Sequence, residues 1–158
     1  MCRKNNNIIT AILCVLILTI SIIFFYKYQI VIVNGNSMIP TLKSGQILIA
    51  NKNFKDINYS DIVIFDLTYK ESESQNDVTE RVIKRVIALP GDRISSNNGR
   101  LTINSLTYND YSFFSDTEQL ILKSNELFVV GDNASGSSDS RVFGAISIDS
   151  VIAVYESK

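Results

Sequence analysis

The sequence predicts a mainly β domain that follows one transmembrane helix. Residues 8–25 near the N-terminus carry no charge and only three polar side chains, those of Thr10, Thr19 and Ser21. The remainder consists of short β-branched and apolar runs separated by turn residues, without the 3.6-residue apolar period of an amphipathic helix. The length of 158 residues fits one such domain.

The apolar segment is long enough to be a membrane anchor. As a helix it measures about 27 Å, close to the thickness of a bilayer core. A cleavable signal peptide would have a shorter apolar stretch and a small-residue cleavage site, and a buried helix of a soluble protein is the third alternative. More basic residues precede the segment than follow it, which favours a cytoplasmic N-terminus. We therefore predict a short cytoplasmic N-terminus with its anchor over residues 1–28, and an extracytoplasmic domain over 29–158.

Composition excludes several chemistries. The chain has no histidine, so that Ser-His-Asp catalysis and His-ligated zinc are ruled out and any general base must be Lys, Asp, Glu or Tyr. The net charge of -1 argues against a nucleic-acid partner. Cys2 and Cys14 both lie in the anchor region, so residues 29–158 cannot form a disulfide with each other. We expect neither a metal nor a cofactor.

The domain is predicted to contain eight strands. An Asn-Asn-Gly turn at 97–99 predicts a hairpin between two of them, and the polar segment 70–77 predicts a mobile loop that joins two others. The predicted strands are 29–34, 46–51, 61–66, 79–89, 93–95, 100–104, 126–131 and 151–155.

Ser37 lies in the first of three informative segments, 33–42. Asn, Gly and Pro flank this serine, which predicts a strand that ends in a turn with an exposed hydroxyl and free backbone N–H groups. A serine in such a turn is usually structural, so this segment alone assigns no chemistry.

The second segment is a strand that contains Lys84. Strand alternation puts Lys84 on one face with Val82, Val86 and Ala88, and it puts Arg85 on the other face with Ile83 and Ile87. A lysine between two valines is a candidate for burial. A solvated lysine on an edge strand is the alternative.

The third segment, 131–144, is rich in small polar residues and follows a strand. We expect a loop ordered by Asp and Ser side chains, with Asp139 and Arg141 able to pair. A flexible linker and a calcium loop are the alternatives. The ligand spacing of a helix-loop-helix calcium site is absent.

In this order, the segments 37–42 (Ser-Met-Ile-Pro-Thr-Leu), 84–92 (Lys-Arg-Val-Ile-Ala-Leu-Pro-Gly-Asp) and 131–141 resemble the motifs of type I signal peptidases. That resemblance implies an antiparallel β catalytic domain, shared with SOS-type repressors, and a membrane-bound Ser-Lys endopeptidase. Such an enzyme cleaves signal peptides from exported preproteins after small residues, often Ala-x-Ala. Membrane lipid and preproteins are then the expected partners.

The resemblance also implies a role for each site residue. Ser37 is the nucleophile and Lys84 the general base, and Ser137 orients the lysine. Asp139 and Arg141 form a supporting ion pair. Met38 and Ile83 bind substrate.

The chain departs from the family at two positions. Ala134 follows Gly-Asp-Asn where a basic residue is common, and Gly35 stands where some members have a hydroxyl residue that binds the oxyanion. The single anchor and small domain resemble those of Gram-positive members, which tend to have glycine at the position of Gly35.

Two other functions fit parts of the pattern. A self-cleaving SOS repressor has a similar Gly-x-Ser-Met segment, but it carries a DNA-binding segment where this chain carries an apolar span. A non-catalytic membrane-anchored assembly factor for exported subunits such as pilins could reuse the same fold. Retention of both Ser37 and Lys84 argues against that role.

Overall fold

The computed structural model describes residues 2–71, 76–97, 99–112 and 119–155. It consists of one long N-terminal helix, eleven strands and three short helical segments within those residues. The helices are α1 (Cys2–Lys27) and α2 (Ser140–Phe143), with 3₁₀ turns at Ala134–Gly136 and Ile148–Ser150. The strands are β1 (Tyr28–Ile32), β2 (Ile47–Asn51), β3 (Ile62–Lys70), β4 (Asp77–Ala88), β5 (Arg93–Asn97), β6 (Arg100–Ile103), β7 (Leu106–Ser112), β8 (Leu120–Ile121), β9 (Glu126–Val130), β10 (Ile146–Ser147) and β11 (Val151–Tyr155).

The fold confirms the predicted class of a mainly antiparallel β domain behind one apolar helix. Within α1, the segment Ile8–Lys27 is long and apolar enough to cross a membrane. The hydroxyls of Thr19 and Ser21 donate to the carbonyls of Leu16 and Ile17 in the same helix, so that these polar groups would need no water inside a bilayer.

Two antiparallel sheets form the domain. The larger has the order β1-β2-β11-β3-β4-β9-β10 and the smaller has the order β7-β6-β5-β8. The long hairpin β3–β4 is the centre of the larger sheet, with every residue from Ile62 to Lys70 paired with one from Arg85 to Asp77. The smaller sheet packs on β9 and the end of β4 through a cluster that includes Ile94, Leu101 and Phe128.

Both faces of the β3–β4 hairpin carry apolar clusters. Val63 and Phe65 pack on one face with residues of β9 and β11. Ile62 and Ile64 pack on the other face with side chains from β2 and from the segment that follows β1. This burial on both faces explains the continuous apolar run Ile-Val-Ile-Phe in β3.

Each of the eight predicted strands matches an observed strand to within a few residues. Three strands were missed: β7 has a polar, Asn- and Asp-containing sequence without alternation, while β8 and β10 have two residues each, too few to show a period. The hairpin prediction at 97–99 is confirmed, because Asn97 pairs with Arg100 and Gly99 has a positive φ of 74°. Asn98 and residues 72–75 of the predicted 70–77 loop lie outside the described residues, so its mobility stays a prediction.

The predicted alternation along β4 fails at its end. Ile87 and Ala88 were placed on opposite faces, yet both pack in the same cluster against the smaller sheet. The cause is a shift in the pairing between β4 and β9, which changes register between Val86 and Ala88.

Candidate active site

The Ser37 turn begins where β1 separates from β2. The pairing continues for one more residue through hydrogen bonds between Val33 and the segment before β2, and the chain then turns at Gly35, whose φ is 86°. Met38 and Leu42 are each 2% exposed and pack with Val33 in the core. These buried side chains on either side of Ser37 fix the turn while Ser37 itself remains half-buried.

Lys84 lies on β4 and is buried, with an exposure of 4%, which is the first of the two alternatives that the strand pattern left open. Burial lowers the pKa of its amine; the charge of Asp139 raises this pKa and that of Arg141 lowers it. Among the described residues, no carboxylate forms an ion pair with this amine. Burial thus increases the fraction of this lysine that is neutral at a given pH.

Asp139 and Arg141 form a buried ion pair beside Lys84. Arg141 Nε and Nη2 donate to the two Asp139 carboxylate oxygens at 2.8 and 2.9 Å, with side-chain exposures of 3% and 0%. Asp139 also caps α2, and the Gly131 N–H donates to it at 3.0 Å. Burial acts to raise the pKa of this carboxyl, but the hydrogen bonds and the Arg141 charge outweigh burial and hold the pKa below its usual value.

Gly131 brings the 131–141 loop into contact with the Ser37 turn. A Cβ at Gly131 would overlap both the Ser137 hydroxyl and the main-chain carbonyl of Ser37. Ser37 and Ser137 are therefore close neighbours. The Asn133 N–H also donates to the Ser37 carbonyl at 2.9 Å, and its side-chain amide donates to the Asn36 carbonyl at 3.2 Å.

Ser137 is a buried hydroxyl without a well-formed hydrogen bond in the described part of the chain. It is nevertheless among the groups that lower the pKa of Asp139, which places it next to that carboxylate.

A second ion pair, which sequence reasoning missed, supports the site from the opposite face of β4. Arg85 donates to both Asp132 carboxylate oxygens at 2.7 and 2.6 Å, and it also contacts the Thr41 hydroxyl at 3.3 Å. Arg85 thereby connects β4 both to the segment 33–42 that contains Ser37 and to the 131–141 loop. Strand alternation places Arg85 on the opposite face of β4 from Lys84, but nothing in the sequence pattern indicates that Asp132 is the partner of Arg85.

An open cavity of about 760 Å³ is lined by four of the predicted residues, whereas Ser137, Asp139 and Arg141 are not among its lining residues. Ser37 and Lys84 both line it, as do the two predicted substrate-binding residues Met38 and Ile83. Residues 31–34 and 80–84 are among those that line it. In the described residues, β9 pairs with β4 only over Arg85–Ala88, so the edge of β4 along the cavity is free to accept an added strand.

A family model described as signal peptidase, peptidase S26, matches residues 5–157, nearly the whole chain. The match defines the class of this protein as a peptidase. The chain belongs to the signal peptidase family, and the resemblance predicted from its three motifs to type I members is confirmed.

Two Bacillus proteins are similar to this chain. Signal peptidase I of Bacillus caldolyticus is 32% identical over 155 residues, which cover 85% of this chain and 79% of the relative. Signal peptidase I P of Bacillus subtilis subsp. natto is 31% identical over 158 residues, which cover 88% and 81%. A crystal structure of a signal peptidase I from Enterococcus faecalis aligns with a TM-score of 0.46 at 25% identity, and covers 66% of this chain and all of that one. By its length and composition, α1 fits a membrane anchor.

Proposed function

We propose that this chain is a membrane-bound serine endopeptidase that removes N-terminal signal peptides from exported proteins with a Ser37–Lys84 dyad. The observation that carries the proposal is a buried Lys84, without an ion-pair partner among the described residues, in the cavity that Ser37 also lines. The names of the Bacillus relatives support signal peptides as the substrate.

Lys84 can act as a general base only in its neutral form. With an ordinary pKa near 10.4, about one amine in 2,500 would be neutral at pH 7. Burial lowers the pKa of Lys84 and so increases that fraction. The Asp139–Arg141 pair adds little net charge next to the amine, because its two members act on the lysine in opposite directions.

The reaction follows from these roles. Neutral Lys84 takes the proton from Ser37 Oγ as this oxygen attacks the carbonyl carbon of the scissile peptide. The resulting ammonium then gives its proton to the leaving amine, and an acyl-enzyme remains on Ser37. A water, deprotonated in turn by Lys84, hydrolyses the ester and restores the serine. The Ser37 backbone N–H is the oxyanion donor.

The supporting residues hold this geometry. Ser137 donates to or accepts from the Lys84 amine and orients it, and Asp139 with Arg141 fixes the loop that carries Ser137. Asn133 holds the main chain of the Ser37 turn through the Ser37 carbonyl.

Substrate binds as an extended strand along the free edge of β4. Its alternate side chains enter the cavity beside Met38 and Ile83. The resemblance to type I signal peptidases implies small residues before the cleaved bond, of the Ala-x-Ala type. Residues 1–28 form the cytoplasmic N-terminus and anchor, and 29–158 form the extracytoplasmic peptidase domain.

The test is cleavage of an Ala-x-Ala preprotein by the full chain in lipid. Ser37→Ala and Lys84→Ala should abolish cleavage, whereas the matched controls Ser44→Ala and Lys55→Ala, at exposed positions, should cleave at the wild-type rate. Wild-type protein that binds the preprotein without cutting it would refute the proposal and favour the assembly role.

A further inference from the structure

Tyr111 belongs to the smaller sheet, which none of the three motifs includes. It lies on β7 and is half-buried against the cluster that joins this sheet to β9. The Arg141 guanidinium lies over its ring, with 5.3 Å between Arg141 Cζ and the ring centroid. This distance is within the range of a cation–π contact. The smaller sheet thus touches the buried ion pair of the candidate active site.

Tyr111 also lies beside the second ion pair of the site. A cavity of about 490 Å³ is lined by Tyr111 together with Arg85 and Asp132. Burial raises the pKa of the Tyr111 hydroxyl, and the charges of Asp132 and Asp139 raise this pKa further. The charges of Arg141 and Arg85 act in the opposite direction. One aromatic side chain is therefore within electrostatic reach of both pairs.

The bonds of Arg141 indicate what the ring holds in place. The guanidinium donates to both carboxylate oxygens of Asp139, and its Nη2 also donates to the Ala134 carbonyl at 2.8 Å. A guanidinium that is bonded along its edge and covered on its face by an aromatic ring is held in one plane. The ring thus fixes the donor that binds Ala134 at the start of a 3₁₀ turn. Ser137, the proposed orienting hydroxyl, follows this turn directly.

Tyr108, on the same strand, provides a contrast to Tyr111. It is half-buried, packs against the same cluster and lines the same cavity. Among the described residues, however, its ring forms no cation–π contact with an arginine. A tyrosine that only filled space between the two sheets would resemble Tyr108. The contact with Arg141 distinguishes Tyr111 from such a residue.

We propose that Tyr111 is a positioning residue of the candidate active site, whose ring holds the Arg141 guanidinium in the orientation that fixes the 131–141 loop. It acts through Arg141 and the loop on Ser137 rather than on the reacting atoms. The smaller sheet thereby supports the geometry of the site. The kinetic part of this inference rests on the proposed peptidase function, whereas the structural part does not.

The experiment compares Tyr111→Leu, Tyr111→Phe and the control Tyr108→Leu, each as the full chain in lipid vesicles. Phenylalanine keeps the ring face that a guanidinium contacts, and leucine removes it. Hydrogen exchange read by mass spectrometry measures the opening of the 131–141 loop and of the smaller sheet. Cleavage of an Ala-x-Ala preprotein gives kcat and KM. Melting temperatures show whether each variant is folded, and the flexible apolar side chain of Tyr111→Met replaces leucine if Tyr111→Leu does not fold.

Tyr111→Leu should accelerate exchange in the 131–141 loop and lower kcat by roughly 5- to 30-fold, the loss expected for a desolvated cation–π contact. KM should stay unchanged, since Tyr111 is not among the described residues that line the cavity beside Ser37. Tyr111→Phe should retain the slow loop exchange and the kcat of the wild type. Tyr108→Leu should accelerate exchange in the smaller sheet alone and leave kcat unchanged.

Unchanged loop exchange or an unchanged kcat in Tyr111→Leu would overturn the proposal. Equal losses in Tyr111→Phe and Tyr111→Leu would assign the effect to the hydroxyl and would also overturn it. The same holds if Tyr108→Leu opens the loop as much as Tyr111→Leu does, because the ring would then only fill space. Wild-type protein that does not cleave the preprotein would refute the proposed function alone, since the exchange measurements still decide whether Tyr111 holds the loop.

Discussion

Two parts of the β3–β4 hairpin, which we call its buried end and its solvated end, lie beside charge pairs in opposite surroundings. At the buried end, Asp139 and Arg141 of the neighbouring loop pair beside Lys84 with almost no exposure. The solvated end begins at the middle of the hairpin, where Arg81 pairs with Asp66 at 3.1 Å with side-chain exposures of 47% and 39%, and it extends to Tyr69, whose hydroxyl donates to Glu80 at 2.8 Å. Of the two pairs, only the buried one is among the groups that shift the pKa of Lys84.

The largest effect is expected from Lys84→Met. Loss of the proposed general base should lower the cleavage rate by about 10²- to 10⁴-fold or more. Methionine has similar length without the buried charge, so thermal stability should stay the same or rise. Rate and melting temperature are measured on one preparation. An inactive and strongly destabilised variant would mean that the lysine is structural.

The two ion pairs should respond very differently to truncation. Arg141→Ala leaves the Asp139 carboxylate buried without its partner, and it should lower the free energy of unfolding by about 3–5 kcal/mol. Denaturant unfolding in detergent measures this loss. Similar losses for Arg141→Ala and for the exposed arginine of the other pair would remove the distinction between the two ends.

The pH dependence of cleavage should reflect the lowered pKa of Lys84. Below that pKa the amine is protonated and cannot accept the Ser37 proton, so kcat/KM should rise with pH through the lowered pKa and level off above it. A cleavage rate that rises only near the ordinary lysine pKa of about 10.4 would contradict the role of burial.

Protonation of Asp139 has a separate consequence, for the stability of the fold. The stabilising contribution of this carboxylate is fully present above its ordinary pKa of 3.8 and is lost as the pH falls through its lowered folded-state pKa.

The smallest effect is expected at the solvated end. Arg81→Ala should change the free energy of unfolding by about 0.2–1 kcal/mol, and added salt should reduce the difference further. Chemical denaturation at low and at high ionic strength checks this. A salt-independent loss of several kcal/mol would show that this pair is far less solvated than its exposure indicates.

Local pattern predicted the long apolar helix and most strands and made Lys84 a candidate for burial, because each depends on neighbours along the chain. The position of Ser37 next to Ser137 depends instead on Gly131, whose missing Cβ leaves the space for both. The ion pair between Arg85 and Asp132 joins residues 47 positions apart, and no period or spacing encodes such a contact. The register shift that puts Ile87 and Ala88 in one cluster is likewise set by pairing with β9.

The free edge of β4 has a consequence for the protein when no substrate is bound. Unpaired strand edges are templates for pairing with other chains, and an edge that binds peptide as proposed has to stay open. Glu80 and Arg81 line the cavity on that strand, and charged side chains disfavour sheet-to-sheet association. These two charges thus disfavour pairing of the free edge with the sheet of a second molecule without covering the edge.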